Sequence, residues 1–169
     1  MKITIKKGKH YASGMHVRPY LGKRAISWRV NMDISCLYKA INDDSNDLNK
    51  LCGISLGHHH KNSLRFAWRP DFNSPGQFMI YAYWYAKGQR RSLYIANISH
   101  NVDYEFEIIL DHPTVAFVVM RPNPAFSDEK RSVFIYIKVP CPSIGYYLWP
   151  YFGGNNTAPH EMSINLKVL

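Results

Sequence analysis

His58-His59-His60 is a run of three imidazoles, preceded by Gly57 and followed by Lys61-Asn62. Neutral imidazole is a common ligand for Zn²⁺ or Ni²⁺ and titrates close to physiological pH. On a strand, neighbouring side chains point to opposite faces, so only His58 and His60 would share a side. A structural zinc site needs four ligands and a catalytic one needs three plus water. A metal centre would therefore have to recruit His100, His112 or His160, which are distant in sequence. No metal or other cofactor is assigned on this basis. A polar turn is the plainer reading, with His59 and His60 free to touch a ligand at its rim.

Tyr81, Tyr83 and Tyr85 alternate with Ala82 and Trp84, so three tyrosines line one face of a predicted strand. Tyrosine offers a flat apolar surface with a polar tip, which suits sugar rings or protein partners. Arg65 and Trp68 fall on the preceding predicted strand, while Arg90 and Arg91 begin the following one. If these strands are neighbours, aromatic rings interleave with guanidinium groups, which form bidentate hydrogen bonds to carboxylate or sulfate. The expected ligand contacts are Arg65, Trp68, Tyr81, Tyr83, Tyr85 and Arg90, with His59, His60 and Asn155 at the rim. A core stripe with hydroxyls reaching its edge would account for the same tyrosines. No catalytic residue is assigned.

The elements that must hold these residues are strands. Met162, Ile164, Leu166 and Val168 alternate with polar residues, as do Tyr104, Phe106 and Ile108. The run Val133, Ile135, Ile137 has the same period, and further strands are predicted over 3–6, 25–32, 51–56, 63–68, 77–85, 92–98, 115–120 and 145–149. Lys87-Gly88 marks a hairpin between two of them. Helix is scarce, the best candidate being 34–41, with Asp43, Asp44 or Ser45 able to cap a further turn. Ten or eleven short strands without a linker, repeat or composition break predict one all-β domain over 1–169, an antiparallel two-sheet β-sandwich of jelly-roll type with little helix.

The segment Trp149–His160, with its Gly153-Gly154 pair, precedes the alternating last strand and resembles the closing segment of concanavalin-A-like β-sandwiches. Residues 53–68, followed by the aromatic strand 77–85, are similar to the inner-sheet strands of such folds. That superfamily includes lectins, glycan-binding modules, glycosidases, polysaccharide lyases and virion proteins, so the resemblance implies a fold more readily than a function. The acidic pairs of its glycosidases have no good counterpart here: Glu105 and Glu107 alternate outward from an apolar strand face. The Arg-x-Glu-x-Arg and Gln-Ile-His patterns of its alginate lyases are absent, as are closely spaced Asp and Asn ligands of legume-lectin type.

Composition bounds the rest. The chain has 169 residues, 46% hydrophobic and 14% aromatic, which excludes a disordered chain. No apolar run reaches transmembrane length, and MKITIKKGKH contains no signal-peptide core. A soluble protein is expected, with its compartment left open. Cys36, Cys52 and Cys141 are widely separated and suit reduced, buried thiols. The net charge of +9 comes from two segments: 1–32, with eight basic and no acidic residues, and 52–91, with six basic residues against Asp71. No nucleic-acid-binding module is recognisable, so nucleic acid is not an expected partner. Binding rather than chemistry is the expected task, with a glycan or polysaccharide, an acidic one in view of the arginines, as partner. Two alternatives stand beside it. One is a virion, phage or other assembly protein, in which the basic N-terminal segment forms an arm or an edge strand and copies of the chain associate. The other is a polysaccharide lyase, in which a Tyr–His pair removes a proton while Arg or Asn neutralises a uronate.

Overall fold

The computed structural model describes residues 1–14, 17–39, 47–111, 113–121, 130–136 and 144–169. The strands are β1 (Lys2–Ile5), β2 (Pro19–Leu21), β3 (Ala25–Met32), β4 (Asn49–Ser55), β5 (Ser63–Pro70) and β6 (Gln77–Ala86). They continue with β7 (Gln89–Ser99), β8 (Asp103–Asp111), β9 (Thr114–Met120), β10 (Lys130–Tyr136), β11 (Ile144–Leu148) and β12 (Met162–Val168). Two antiparallel six-stranded sheets result, one ordered β1-β12-β3-β8-β9-β10 and the other β2-β11-β4-β5-β6-β7. This is the two-sheet sandwich that the alternation demands, because each strand has one apolar face to bury.

The core forms where the inward faces meet. Phe66 of the second sheet meets Trp28, Phe106 and Phe117 of the first edge-to-face, at ring-centre separations of 6.4, 4.9 and 5.2 Å. Strands β3 and β12 have the predicted bounds, and most others run one to three residues beyond them. The β6–β7 hairpin closes through Lys87 and Gly88, both at positive φ (51° and 82°), the two-residue turn geometry that matches strand twist.

The predicted helix over 34–41 is a correction. Among its described residues only a single 3₁₀ turn, Ile34–Cys36, forms, with the Asp33 carboxylate accepting from the Ser35 N–H at 2.8 Å. Leu37 is already extended, at φ −77° and ψ 133°. Asp43, Asp44 and Ser45 lie outside the described residues, as do His112, Ile137 and Cys141. Strand β2 was not expected; three residues beginning with proline carry almost no periodic signal. The basic N-terminal segment is no free arm. Strand β1 pairs with β12 at the sheet edge, and the stretch after it is bonded to the segment between β11 and β12 through Gly8 N–H to Ala158 O (2.8 Å) and Phe152 N–H to His10 O (2.8 Å).

Candidate functional site

On β5, Leu64, Phe66 and Trp68 face the core and Arg65 faces away. On β6, Phe78, Ile80, Ala82 and Trp84 face the core, which turns Tyr81, Tyr83 and Tyr85 outward. Register aligns Gly53, Arg65, Tyr83 and Ser92 across four strands, and Ser55, Ser63, Tyr85 and Arg90 in the next row but one. Tyr146 of β11 pairs with Ser55 and extends that second row.

Above these rows lies a cleft of about 1040 Å³. Its floor carries Arg65, Tyr83, Tyr85, Arg90 and Lys50; its walls are the His59-His60 turn, Tyr11, Ala12 and Gly14, Tyr146, and residues 149–151 and 154–155. A volume of this order suits a small ligand or several sugar units. Gly53 keeps the floor low. A Cβ there would lie 2.2 Å from the Leu64 carbonyl oxygen and 2.9 Å from Arg65 Cγ, so the arginine stem occupies the space a side chain would need.

The electrostatics are one-sided. Arg65 donates from Nη2 to the Trp149 carbonyl at 2.8 Å, and its Nε has no partner and no contact with solvent. Burial lowers its pKa from 12.5 to about 10, and the groups next in influence are Tyr83 and Cys52, not a carboxylate. Lys50 donates to the Leu48 carbonyl at 2.7 Å and lies over the rings of Tyr83 (5.1 Å) and Tyr151 (6.0 Å). Its pKa falls to about 8, first through burial and then through the charge of Arg65. Burial, followed by the bond to Tyr85, pushes the Tyr83 phenol well above its ordinary value. Asp47 is the single acidic side chain among the described residues lining the cleft.

The rim is imidazole and phenol. His58, His59 and His60 occupy a turn, with ring centres 5.3, 5.7 and 4.2 Å apart. His59 Nδ1 is 2.9 Å from the Tyr146 hydroxyl, and the edge of one ring meets the face of the other for His60 and Tyr85 at 5.6 Å. Burial lowers the His59 pKa, and His60, Arg65 and His58 lower it further. Among the described residues no three His, Cys, Asp or Glu side chains are arranged to hold a metal ion. His160 bonds the Ser35 carbonyl at 2.7 Å, and His100 packs beside Gly76; neither lines the cleft.

Of the residues expected from sequence, Arg65, Tyr83, Tyr85, Arg90, His59, His60 and Asn155 come together around the cleft. Two do not. Trp68 is wholly buried and packs against Phe78 (5.4 Å), because it stands three residues from Arg65 and so on the opposite face of β5. Tyr81 shares the outward face but lies past the cleft, against Tyr94 (5.8 Å) and beneath Arg69 (5.8 Å). Glu105 and Glu107 are on the far side of the molecule, bonded to Arg29 (2.7 Å) and Ser27 (3.2 Å). Phe152 is buried in the core, and Trp149 packs against that core while bounding the cleft. Lys50, Asp47, Tyr11, Tyr146 and Tyr151 line the cleft without having been singled out. For Tyr146, alternation with the buried Tyr147 was the available signal, and for Tyr151 its place in the glycine-bearing segment Trp149–His160; for the others there was none.

No family model matches the chain, and no curated protein matches it in sequence. Solved structures do resemble it. An alginate lyase from Klebsiella pneumoniae superposes with a TM-score of 0.62 at 9% identity, covering 86% of this chain and 59% of the lyase. A functionally unknown protein from Saccharomyces cerevisiae gives a TM-score of 0.54 at 9% identity, over 99% and 87% of the two chains. The CBM2 module of the evolved Dit of Lactobacillus casei BL23 phage J-1 gives 0.52 at 15% identity, over 99% and 65%. The chain thus spans less than two thirds of the lyase and of the phage protein. What these likenesses carry is the fold alone, an antiparallel two-sheet β-sandwich of jelly-roll type.

Proposed function

We propose that the cleft over the second sheet binds a carbohydrate bearing an acidic group and leaves it chemically unchanged. One observation carries the reading: Arg65, Lys50 and Arg90 line a tyrosine-rich cleft whose only acidic lining residue, among those described, is Asp47. Tyr83, Tyr85, Tyr146 and Tyr151 supply flat faces for sugar rings, and their hydroxyls can bond ring substituents. The positive charge selects a carboxylate or sulfate, since a buried cation without a counter-ion gains more from an anion than an exposed one does. The names of the similar structures, an alginate lyase and a CBM2 module, support a carbohydrate as ligand.

The test is isothermal titration with oligosaccharides of guluronate, mannuronate and galacturonate, a sulfated heparin tetrasaccharide and neutral cellotetraose. Acidic probes should bind and cellotetraose should not. Tyr83→Ala should abolish the signal. Binding of the neutral probe alone, or of none, would remove the reading.

The His59–Tyr146 contact of 2.9 Å favours a second reading, a polysaccharide lyase. In it one member of the pair would take the proton beside a uronate carboxylate that Arg65 neutralises, and the other would protonate the glycosidic oxygen as its bond to the next ring carbon breaks and a carbon–carbon double bond forms. Unsaturated products absorb in the ultraviolet, so incubation with alginate, pectate and glycosaminoglycans separates the two readings. Turnover that is lost in Tyr146→Phe would favour the lyase.

A further inference from the structure

The histidine turn is built more firmly than a solvated loop requires. The Leu56 N–H bonds the Asn62 carbonyl (2.9 Å), and the N–H groups of Lys61 and Asn62 both bond the His58 carbonyl (2.8 and 3.0 Å). The Ser63 hydroxyl donates to the His59 carbonyl at 2.8 Å, and the Asn62 side-chain oxygen accepts from the Lys87 N–H at 3.2 Å. Three imidazoles are thereby held in mutual contact beside the cleft.

Among the described residues, their surroundings contain almost no negative charge. Strand β5 presents Arg65, β6 presents Tyr83 and Tyr85, β7 presents Arg90, β11 presents Tyr146, β4 presents Lys50, and the stretch before β4 presents Asp47. Tyr11 and Tyr151 stand on the remaining wall, and Lys61 and Lys87 flank the turn itself. Asp47 packs against Gly154, whose Cβ position would lie 2.3 Å from the carboxylate oxygen. Each proton added to the turn therefore enters a field already set by guanidinium and ammonium groups. An anion seated in the cleft offsets that field for the two imidazoles that line it, His59 and His60.

We propose that this turn makes ligand capture proton-coupled: an acidic glycan binds with uptake of protons by His59 and His60, so it is held in mildly acid solution and released above neutral pH. The inference rests on the reading of the cleft as a site for an acidic carbohydrate, and it names how that site is regulated. Reciprocity requires it. If the anion favours the charged imidazoles, charged imidazoles favour the anion by the same factor. An imidazole whose pKa rises by one unit on binding changes the affinity by about tenfold across its titration.

Titration calorimetry tests this with a guluronate tetrasaccharide and a sulfated heparin tetrasaccharide, whose acidic groups stay ionised throughout. Measurements run from pH 5.5 to 8.5 in two buffers of different ionisation enthalpy. Affinity should rise at least about tenfold from pH 7.5 to 5.5, with net proton uptake near pH 6.5. His59→Gln with His60→Gln should flatten both. Because His59→Gln gives up the bond to Tyr146, a second readout uses the unaltered protein: imidazole titrations followed by NMR, which must move to higher pH when either probe saturates the cleft. Binding with a constant affinity, no proton uptake and unmoved titrations would overturn the coupling and leave the ligand class standing. A change confined to the range above pH 8 would trace to Lys50 and also overturn it. Failure of both probes to bind at every pH would remove the proposal together with the reading beneath it.

Discussion

Replacing Arg65 by methionine separates what the cleft does for the fold from what it does for a ligand. The guanidinium sits among Tyr83, Tyr146, Tyr151 and Cys52 with no carboxylate against it among the described residues. The fall of its pKa from 12.5 to about 10 corresponds to roughly 3 kcal/mol set against the charged form. Methionine removes that cost and retains most of the apolar stem packing. It also removes the hydrogen bond to the Trp149 carbonyl, worth about 1.5–3 kcal/mol for a charged donor. The two nearly cancel. Arg65→Met should therefore unfold in urea within about 1.5 kcal/mol of the unaltered protein, on either side of it. The buried Trp28 and Trp68 provide the fluorescence signal. The same variant should bind acidic oligosaccharides about tenfold to a hundredfold more weakly, the loss of one charged hydrogen bond. A stability loss of about 3–5 kcal/mol is what breaking a buried ion pair costs, and it would refute the claim that Arg65 lacks an anionic partner within the chain. Retained affinity would refute its place in the site.

Trp68→Ala should cost about 3–5 kcal/mol in urea unfolding while affinity per folded molecule stays unchanged, because Trp68 is a core residue beneath the opposite face of β5. Gly53→Ala should cost about 1–3 kcal/mol and weaken oligosaccharide binding, since the new methyl displaces either the Leu64 carbonyl or the Arg65 stem. Burial disfavours the charged form of His59 in the folded chain, so stability should decline as pH falls below about 6.5, the unfolded value, and His59→Gln should flatten that part of a pH series of urea midpoints. The Asp33 carboxylate is held below its ordinary 3.8 by the bonds from Ser35, so its contribution is present above that pH and is lost on further acidification. Asp33→Asn should remove this second decline and leave the first.

Period-two alternation made the fold legible almost strand by strand, and the same arithmetic, applied with care, would have removed one wrong contact. Arg65 and Trp68 are an odd number of residues apart on a regular strand, so one must enter the core if the other faces the ligand. Tyr81 was a different kind of miss. Its parity is right, but it stands two residues beyond Tyr83, about 6.6 Å along the strand, and a bulge between Ile80 and Tyr81 realigns it with Tyr94. What the sequence could not supply was lateral order. Strand β11 lies between β2 and β4, which brings Tyr146 beside Ser55 from about ninety residues away, and no local pattern encodes that neighbour. Tyr11 and Tyr151 meet for the same reason, through an isolated bridge between distant loops.

The charge of +9 shows why composition and site are different quantities. The stretch 52–91 holds Arg65, Arg90, His59 and His60, but Lys50 comes from the acidic stretch 33–51. Two of the eight basic residues of the N-terminal stretch are engaged elsewhere: Arg29 pairs with Glu105 at 2.7 Å on the first sheet, and Arg18 lies over the Tyr147 ring at 5.0 Å. Surplus lysines and arginines attract anions over a Debye length and then lose them to salt. A selective site needs something the count does not measure, a cation that folding has desolvated and left without a carboxylate. Among the described residues Arg65 meets that condition: Gly53 makes room for its stem, Tyr83 and Tyr151 stand beside it, and the one acidic lining residue, Asp47, lies against Gly154. The cost of burying it falls on the fold, and an acidic ligand is the component that would offset it.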